Sequence, residues 1–221
     1  ARQWGQATGS NAQKIVGATH LETGIFGLDN ISIGTTKTAI DSAASGVQTR
    51  RDGKLINTSF AKDSITLELP NGKTRYGASF PWGDLSVSYR TTGIPNITSY
   101  VSILPTIAKI GRITYPITAQ IMKVAAIRHF AKNIAERFIE GPDEVARHSG
   151  ASYIWARATN AAGQSASAWL TTLEPYEYTA KVGVLAVERL AERDPIGALS
   201  PVQAFGMDFT LEVEGTTRQD V

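Results

Sequence analysis

The sequence contains no cysteine among its 221 residues and only three histidines, His20, His129 and His148, which stand apart from one another. The lack of cysteine excludes disulfides, thiolate metal ligands, iron–sulfur clusters and a cysteine nucleophile. Without clustered histidines, a transition-metal site is not expected either. The lack of cysteine fits a cytoplasmic protein, which is the expected location, although secreted proteins can lack cysteine too.

Neither charge nor hydropathy points to a nucleic acid or a membrane as partner. Lys and Arg number 22 against 20 for Asp and Glu, so the net charge is +2. Nucleic-acid binding requires a concentrated basic surface, and this balance gives no reason to expect one. No run of about 18 apolar residues occurs, so no membrane span is expected. Hydrophobic residues make up 42% of the chain, which is enough for a folded domain.

The glycine-rich motifs that bind nucleotides are also missing. A dinucleotide fold needs Gly-x-Gly-x-x-Gly between a strand and a helix. The nearest match, Gly24-Ile25-Phe26-Gly27 followed by Gly34, has the wrong spacing. No Gly-x-x-x-x-Gly-Lys loop and no Gly-x-Ser-x-Gly nucleophile elbow occurs. The sequence therefore predicts neither a nucleotide-binding domain of its own nor an α/β-hydrolase.

Three turn sequences predict antiparallel hairpins. They are Asp52-Gly53, Pro70-Asn71-Gly72 and Asn160-Ala161-Ala162-Gly163, each lying between two extended runs. Such turns are typical of hairpins because glycine supplies the positive φ that they need.

The order of strands and helices predicts an α+β fold, with a mixed, largely antiparallel sheet and helices packed mainly on one face. Residues 1–33 have weak periodicity and are expected to form an irregular segment that leads into the fold. Residues 34–221 are expected to form a single domain. The alternation of apolar and polar residues over 207–214 predicts that the last strand lies there.

Helical patterns occupy much of the remaining chain. A helix of small residues is predicted at 36–45, with its cap near Ser32, and a longer helix is predicted at 175–192. Residues 105–138 are predicted to form two helices that separate at Tyr115-Pro116, because Pro suits the first turn of a helix. Apolar residues of this segment form a helical stripe, and its basic residues predict a solvated face rather than a membrane or phosphate surface.

Residues 81–96 concentrate aromatic and hydrogen-bonding side chains between prolines and glycines. Asp84 is interpreted as a helix cap, with pairing to Arg90 or contact with a substrate as alternatives. Arg90 either grips a carboxylate or phosphate or forms a surface ion pair, and Trp82 either packs in the core or lines a cleft. The charged turn at 50–54 is predicted to be solvated.

Two tyrosines stand at the start of the helix predicted at 175–192, where backbone amides favour an anion. They either line a cleft or pack on the edge of the sheet. The candidate substrate-binding residues of the chain are Trp82, Asp84, Tyr89, Arg90, Thr92, Asn96, Tyr176 and Tyr178. No catalytic residue and no metal ligand is predicted.

Several segments resemble the saccharopine dehydrogenase-like oxidoreductases, in this order along the chain. They are Gly34-Thr35, Arg50-Arg51-Asp52-Gly53-Lys54, Phe80-Pro81-Trp82-Gly83-Asp84, Tyr89-Arg90-Thr91-Thr92-Gly93-Ile94-Pro95-Asn96, Thr159-Asn160-Ala161-Ala162-Gly163, Glu174-Pro175-Tyr176-Glu177-Tyr178-Thr179, Gly197-Ala198-Leu199-Ser200-Pro201 and Ala204-Phe205-Gly206-Met207-Asp208-Phe209. Within that family the chain looks like the bacterial branch that includes the trans-acting enoyl reductases.

The resemblance implies that this chain is the C-terminal, substrate-binding and dimerisation half of an NAD(P)-dependent oxidoreductase. A nucleotide-binding domain would precede it, which fits an opening without Met. NAD or NADP is then the cofactor of the complete enzyme, with none expected for this segment alone. A small-molecule substrate and a second copy of the chain are the implied partners.

A non-catalytic binding or dimerisation module is the alternative. The strand face with Tyr153, Trp155 and Trp169 is then predicted to bury against a partner copy, because aromatic residues are favoured in interface cores. The two hypotheses are compatible, since a substrate-binding domain can also dimerise.

Overall fold

The fold is described from a computed structural model, which describes residues 16–27, 31–139, 150–193 and 195–221. The strands are β1 Ala18–Phe26, β2 Val47–Arg51, β3 Lys54–Thr58, β4 Ser64–Glu68, β5 Thr74–Ser79, β6 Asn96–Ser102, β7 Ala151–Asn160, β8 Ser165–Leu173 and β9 Thr217–Asp220. The helices are α1 Ile33–Ala43, α2 Asp84–Thr92, α3 Pro105–Ile121, α4 Ala125–Phe138, α5 Pro175–Arg193 and α6 Pro201–Phe205, with a 3₁₀ turn at Phe209–Glu212.

All the described strands belong to one sheet. Seven of them follow the order β3-β2-β6-β1-β7-β8-β9, and β4 pairs with β5, which joins the sheet at β6. β1 and β6 are parallel, and the other pairs are antiparallel. One edge of β6 carries two hairpins, because its start pairs with β2 and its end pairs with β5. The predicted α+β class, with a mixed and largely antiparallel sheet, is confirmed.

The prediction of an irregular segment at 1–33 is wrong for residues 18–26. These residues form β1, which lies between β6 and β7 near the middle of the sheet. The strand is hard to recognise because its apolar residues are interrupted by His20, Glu22 and Gly24. Residues 1–15 lie outside the described part of the chain.

The three hairpins form as predicted. β2 and β3 meet at Asp52 and Gly53, whose φ angles are 48° and 76°. Gly72 and Gly163 also have positive φ in the turns that join β4 to β5 and β7 to β8. Turn chemistry thus fixes most of the antiparallel part of the sheet.

Helix boundaries follow local capping signals. The Ser32 side chain accepts a hydrogen bond from the Thr35 amide and begins α1, and Gly93 ends α2 with a φ of 73°. At the start of α6, Ser200 and Gln203 form a capping box. The cap at Ser32 lies where the sequence predicts it.

The last strand is not where alternation predicts it. Residues 207–214 contain the 3₁₀ turn Phe209–Glu212 instead of a strand, and β9 follows at Thr217–Asp220. Phe209 and Val213 are both buried. Because they are four residues apart, their burial fits a helical turn as well as a strand.

The predicted break at Tyr115-Pro116 is also wrong. Pro116 lies inside α3, and the chain leaves the helix only at 122–124, where Val124 is extended. Position 116 is exposed, so the carbonyl that loses its partner to proline can bond to water. The predicted end at Gly141-Pro142 lies outside the described residues.

Each strand of the sheet centre presents side chains to two faces. The helix face carries Leu21 and Ile97, which pack with Leu85 and Ile94 of the α2 region. The opposite face, which we call the cavity face because a cavity opens on it, carries His20, Glu22, Thr98 and Tyr100 in matching register.

The largest apolar cluster lies on the cavity face around Phe26, which has no exposed surface. It contains Leu69, Tyr100, Trp155 and Trp169. Two glycines make room for the Phe26 ring, because a Cβ atom at Gly24 would lie 2.7 Å from it and one at Gly77 would lie 3.1 Å from it.

Candidate functional site

A cavity of about 350 Å³ opens on the cavity face, at the opposite end of β1 from Phe26. It is lined by His20, Leu21, Glu22, Arg51, Asp63, Asn96, Thr98, Tyr100 and Thr159. β1 and β6 contribute most of these residues, and β2 and β7 contribute one each. The volume lies in the range of sites for small ligands. The lining includes both positively and negatively charged side chains.

Glu22 organises one wall of the cavity. One carboxylate oxygen accepts a hydrogen bond from the Tyr100 hydroxyl at 3.1 Å. The other accepts from Arg157, at 2.8 Å from Nε and 2.6 Å from the terminal nitrogen. The guanidinium also lies 5.2 Å from the centre of the Trp155 ring. These contacts fix the orientation of both the carboxylate and the phenol.

Tyr100 keeps its proton more firmly than an ordinary tyrosine. Burial is the main cause, and the negative charge of Glu22 and its hydrogen bond add to it, so that the pKa of Tyr100 is raised. The phenol therefore remains a hydrogen-bond donor well above neutral pH.

The raised pKa predicts a loss of stability in alkali. Above about pH 10 the unfolded chain releases the Tyr100 proton while the folded chain retains it, so the free energy of unfolding falls as pH rises. Tyr100→Phe is expected to decline less steeply with pH when urea unfolding is followed from about pH 9 to about pH 11. Slopes are compared rather than absolute values, because the variant also loses the Glu22 bond. Equal slopes would contradict the prediction.

Arg51 and Asp63 form the second charged pair of the cavity. Their side chains are 3.9 Å apart and partly exposed, and Arg51 also donates to the Thr98 hydroxyl at 3.1 Å. A pair at this distance and exposure is weak. Both groups can therefore turn to a ligand at small cost.

Of the eight predicted site residues, Asn96 is the one that lines this cavity. Its amide nitrogen donates to the Thr19 carbonyl at 2.9 Å, and its oxygen accepts from the Asp52 amide at 3.1 Å. Asn96 thus joins the start of β6 to β1 and to the β2–β3 turn.

Asp84 lies on the other face of the sheet and does not cap α2, so that interpretation is wrong. The helix begins at Asp84 itself, and Gly83 supplies no side-chain cap. The carboxylate accepts hydrogen bonds from the hydroxyls of Thr23 and of Ser99, the latter at 2.7 Å. Because Thr23 and Ser99 are paired across β1 and β6, Asp84 anchors α2 to the parallel pair.

The other predicted residues of 81–96 have structural partners. Arg90 donates to the Ala198 carbonyl, and Thr92 donates to the Ser88 carbonyl at 2.7 Å. Trp82 is 40% exposed, with its ring 6.0 Å from that of Phe80. These contacts are what a helix end needs, and they do not define a cavity.

The turn at 50–54 is not simply solvated, because Arg50 is only 7% exposed. Its guanidinium donates to the carbonyls of Leu85 and Gly53 and lies 4.3 Å from the centre of the Tyr89 ring. The sequence could not show this, since a charged residue beside a turn usually faces water. Tyr89 therefore serves as a platform for Arg50.

The hydrogen-bond partners of the Tyr176 hydroxyl lie at the start of α1 and not in the segment 81–96. The Tyr176 hydroxyl accepts from the Ser32 amide at 2.6 Å and lies 3.0 Å from the Thr35 hydroxyl. Burial acts to raise the pKa of Tyr176, but these bonds outweigh it and leave the pKa lowered. Burial raises the pKa of Tyr178. Glu174, which accepts from the amides of Tyr176 and Glu177, caps α5.

The aromatic face predicted for a partner copy is internal. Trp155 and Trp169 are paired across β7 and β8, and both are buried within the chain. Their burial against Phe26 and Leu69 explains why two tryptophans occur at matching positions. A dimer interface built on them is therefore ruled out.

Helix α1 does not lie in the crossover of a dinucleotide-binding fold, and the described residues hold no metal-ligand cluster. β1, α1 and β2 do not form a parallel crossover, because β2 pairs with β6 and runs antiparallel to it. In the described part of the chain there is no cluster of three acidic or histidine residues that could hold a metal ion. Within the same residues, none of the helices has the length and hydropathy of a membrane span.

The sequence matches no protein-family model and no curated protein. Among solved structures, the chain is similar to apo histidine-tagged saccharopine dehydrogenase (L-Glu forming) from Saccharomyces cerevisiae. The two share 9% identity with a TM-score of 0.51, over 93% of this chain and 67% of that one. At this identity the likeness concerns the fold alone, and the fold of this chain is saccharopine dehydrogenase-like.

Proposed function

We propose that this chain is the substrate-binding domain of a saccharopine dehydrogenase-like, NAD(P)-dependent oxidoreductase, with its substrate in the cavity beside β1 and β6. The observation that carries the proposal is the grouping of Glu22, Arg51, Asp63 and Tyr100 around one cavity of about 350 Å³ in a sheet of this fold. Homodimerisation and the enoyl reductase branch rest on the sequence resemblance alone.

The cavity favours a small molecule that carries groups of both charges. Arg51 offers a guanidinium to a carboxylate, and Asp63 offers a carboxylate to an ammonium or hydroxyl group. Glu22 is already engaged by Arg157 and Tyr100, so its role is to fix the Tyr100 phenol, whose oxygen can accept a hydrogen bond from the substrate. An amino acid has this combination of groups.

NAD or NADP would enter this scheme from another domain, since β1, α1 and β2 do not form the crossover of a dinucleotide-binding fold. The nicotinamide would supply or accept a hydride when it is bound. The residues of this chain would bind the substrate, orient it and hold the Tyr100 proton. Asn96 would maintain the cavity by keeping β6 against β1.

Calorimetric titration with two probes of equal length tests the proposal. L-Glutamate is expected to bind more tightly than glutarate, which lacks the ammonium group. Arg51→Met is expected to weaken glutamate binding by about tenfold or more, because a charge-assisted contact is lost. Arg90→Met is the matched control and is expected to leave binding unchanged, since Arg90 lies on the helix-face side with the Ala198 carbonyl as its partner.

Three results would count against the proposal. Equal binding of glutamate and glutarate would remove the case for a ligand of both charges. Loss of binding in Arg90→Met but not in Arg51→Met would move the site to the segment 81–96. Tight binding of NADPH to this chain by itself would contradict the division of labour between two domains.

A further inference from the structure

Helices α3 and α4 expose an unusually apolar surface. Of the 24 large hydrophobic residues exposed in the described part of the chain, 11 lie within 104–138. These are Leu104, Ile107, Ile110, Ile113, Ile117, Ile121, Val124, Ile127, Phe130, Ile134 and Phe138. We call this set the isoleucine face. It includes most of the stripe that the sequence shows in this segment, and that stripe does not pack into the core.

The inner face of α3 is already occupied by the rest of the domain. Ala108 packs with Ala61 and Ala78. Tyr115 stacks on Phe60, with ring centres 5.2 Å apart, and donates to the Ala43 carbonyl at 3.1 Å. The exposed isoleucines therefore lie on the opposite side of a helix whose packing is already complete.

The inner face of α4 is occupied by α1. Lys132 pairs with Asp41 at 2.6 Å, Arg128 lies 3.8 Å from the same carboxylate, and Glu136 pairs with Lys37. These three pairs lie on one side of α4, and Phe130, Ile134 and Phe138 lie on the other. Both helices thus have a polar or packed side and an apolar outer side.

The charges of the segment that have no ion-pair partner are positive. No Asp or Glu occurs between Asp84 and Glu136. Among the described residues, Lys109, Lys123 and Arg137 are exposed without an ion-pair partner. On the helices, Lys109 and Arg137 flank the apolar outer side, from where long side chains can reach beyond it to a charged surface.

A second copy of the chain is a poor occupant of this face. Symmetric contact would bring Lys109, Lys123 and Arg137 of each copy together, with no acidic residue between positions 84 and 136 to oppose them. An anionic bilayer surface meets both requirements, because its acyl region accepts the isoleucines and its headgroups accept the basic side chains. We infer that α3 and α4 dock on anionic phospholipid membranes, lying at the interface without crossing it, in place of the solvated face that the sequence predicts for this segment.

Vesicle flotation of the full chain tests this inference. The chain is expected to float with vesicles of equimolar phosphatidylcholine and phosphatidylglycerol, and much less with phosphatidylcholine alone. Binding is expected to fall as salt is raised, because salt screens the headgroup contacts. The double variant Ile113→Gln, Ile117→Gln is expected to lose at least about tenfold in partitioning. Both isoleucines are more than two-thirds exposed, at 77% and 68%, so the variant should fold.

The matched control is Val184→Gln, Val187→Gln on α5, where the two side chains are 62% and 66% exposed. It is expected to bind like the unaltered chain. A separate variant, Lys109→Gln, Lys123→Gln, is expected to lose most of the preference for phosphatidylglycerol while keeping the apolar face.

Four outcomes would overturn the inference. They are absence of vesicle binding, equal binding to both vesicle types, equal loss in the α5 control, and a dimer seen by sedimentation that the isoleucine variant abolishes while vesicle binding is unchanged. The last result would assign the isoleucine face to a second copy of the chain.

Discussion

Replacing Phe26 with alanine is expected to lower the free energy of unfolding by about 3–5 kcal/mol. The side chain is fully buried and contacts Trp169 edge-on, with ring centres 5.8 Å apart. Gly24 and Gly77 line the space beside the ring and have no side chains that could move in to fill a cavity. The loss is measured by urea unfolding, followed by circular dichroism.

A phenylalanine on the surface provides the control for this variant. Phe130 belongs to the isoleucine face and is 67% exposed, so Phe130→Ala is expected to change the free energy of unfolding by no more than about 0.5 kcal/mol. If the two variants lost similar amounts, Phe26 would not be the centre of the apolar cluster described above.

Replacing Glu22 with alanine is expected to cost about 2 kcal/mol of unfolding free energy. The change removes the acceptor for the Tyr100 hydroxyl and the ion-pair partner of Arg157 at once. The loss is limited because Arg157 is partly exposed and regains contact with water. If the proposed function is correct, the same variant also weakens glutamate binding, since Tyr100 loses its fixed orientation.

A double-mutant cycle separates the Glu22–Arg157 contact from the other effects of each change. Glu22→Ala, Arg157→Ala and the double variant are compared by urea unfolding, and a coupling energy of about 1 kcal/mol is expected. Strict additivity of the two changes would show that the ion pair contributes nothing to stability. The role of Glu22 would then reduce to its bond with Tyr100.

Local features of this fold could be predicted from the sequence. The turns at Asp52-Gly53, 70–72 and 160–163, the start of α1 at Ser32 and the end of α2 at Gly93 depend on residues close in sequence. The physical reason is that positive φ and capping bonds are satisfied within a few residues. Signals of this kind can be recognised in the sequence without knowledge of the tertiary structure.

The cavity could not be predicted in the same way, because its members meet through pairing between distant strands. Glu22 lies 78 residues from Tyr100 and 135 residues from Arg157. His20 and Glu22 interrupt the apolar pattern of β1 and make the strand hard to recognise, and both of them line the cavity. Asn96 is the predicted site residue that lines this cavity, and it ends one of the segments that resemble the oxidoreductase family.

The position of β1 also bears on how the chain folds. The hairpins β2–β3, β4–β5 and β7–β8 pair neighbours in sequence and can form early. β1 is synthesised before all of them, yet its partners β6 and β7 leave the ribosome much later. Such long-range pairing raises the contact order and slows folding. Both edges of β1 stay unpaired during that interval, so β1 is the strand most open to association with other nascent chains.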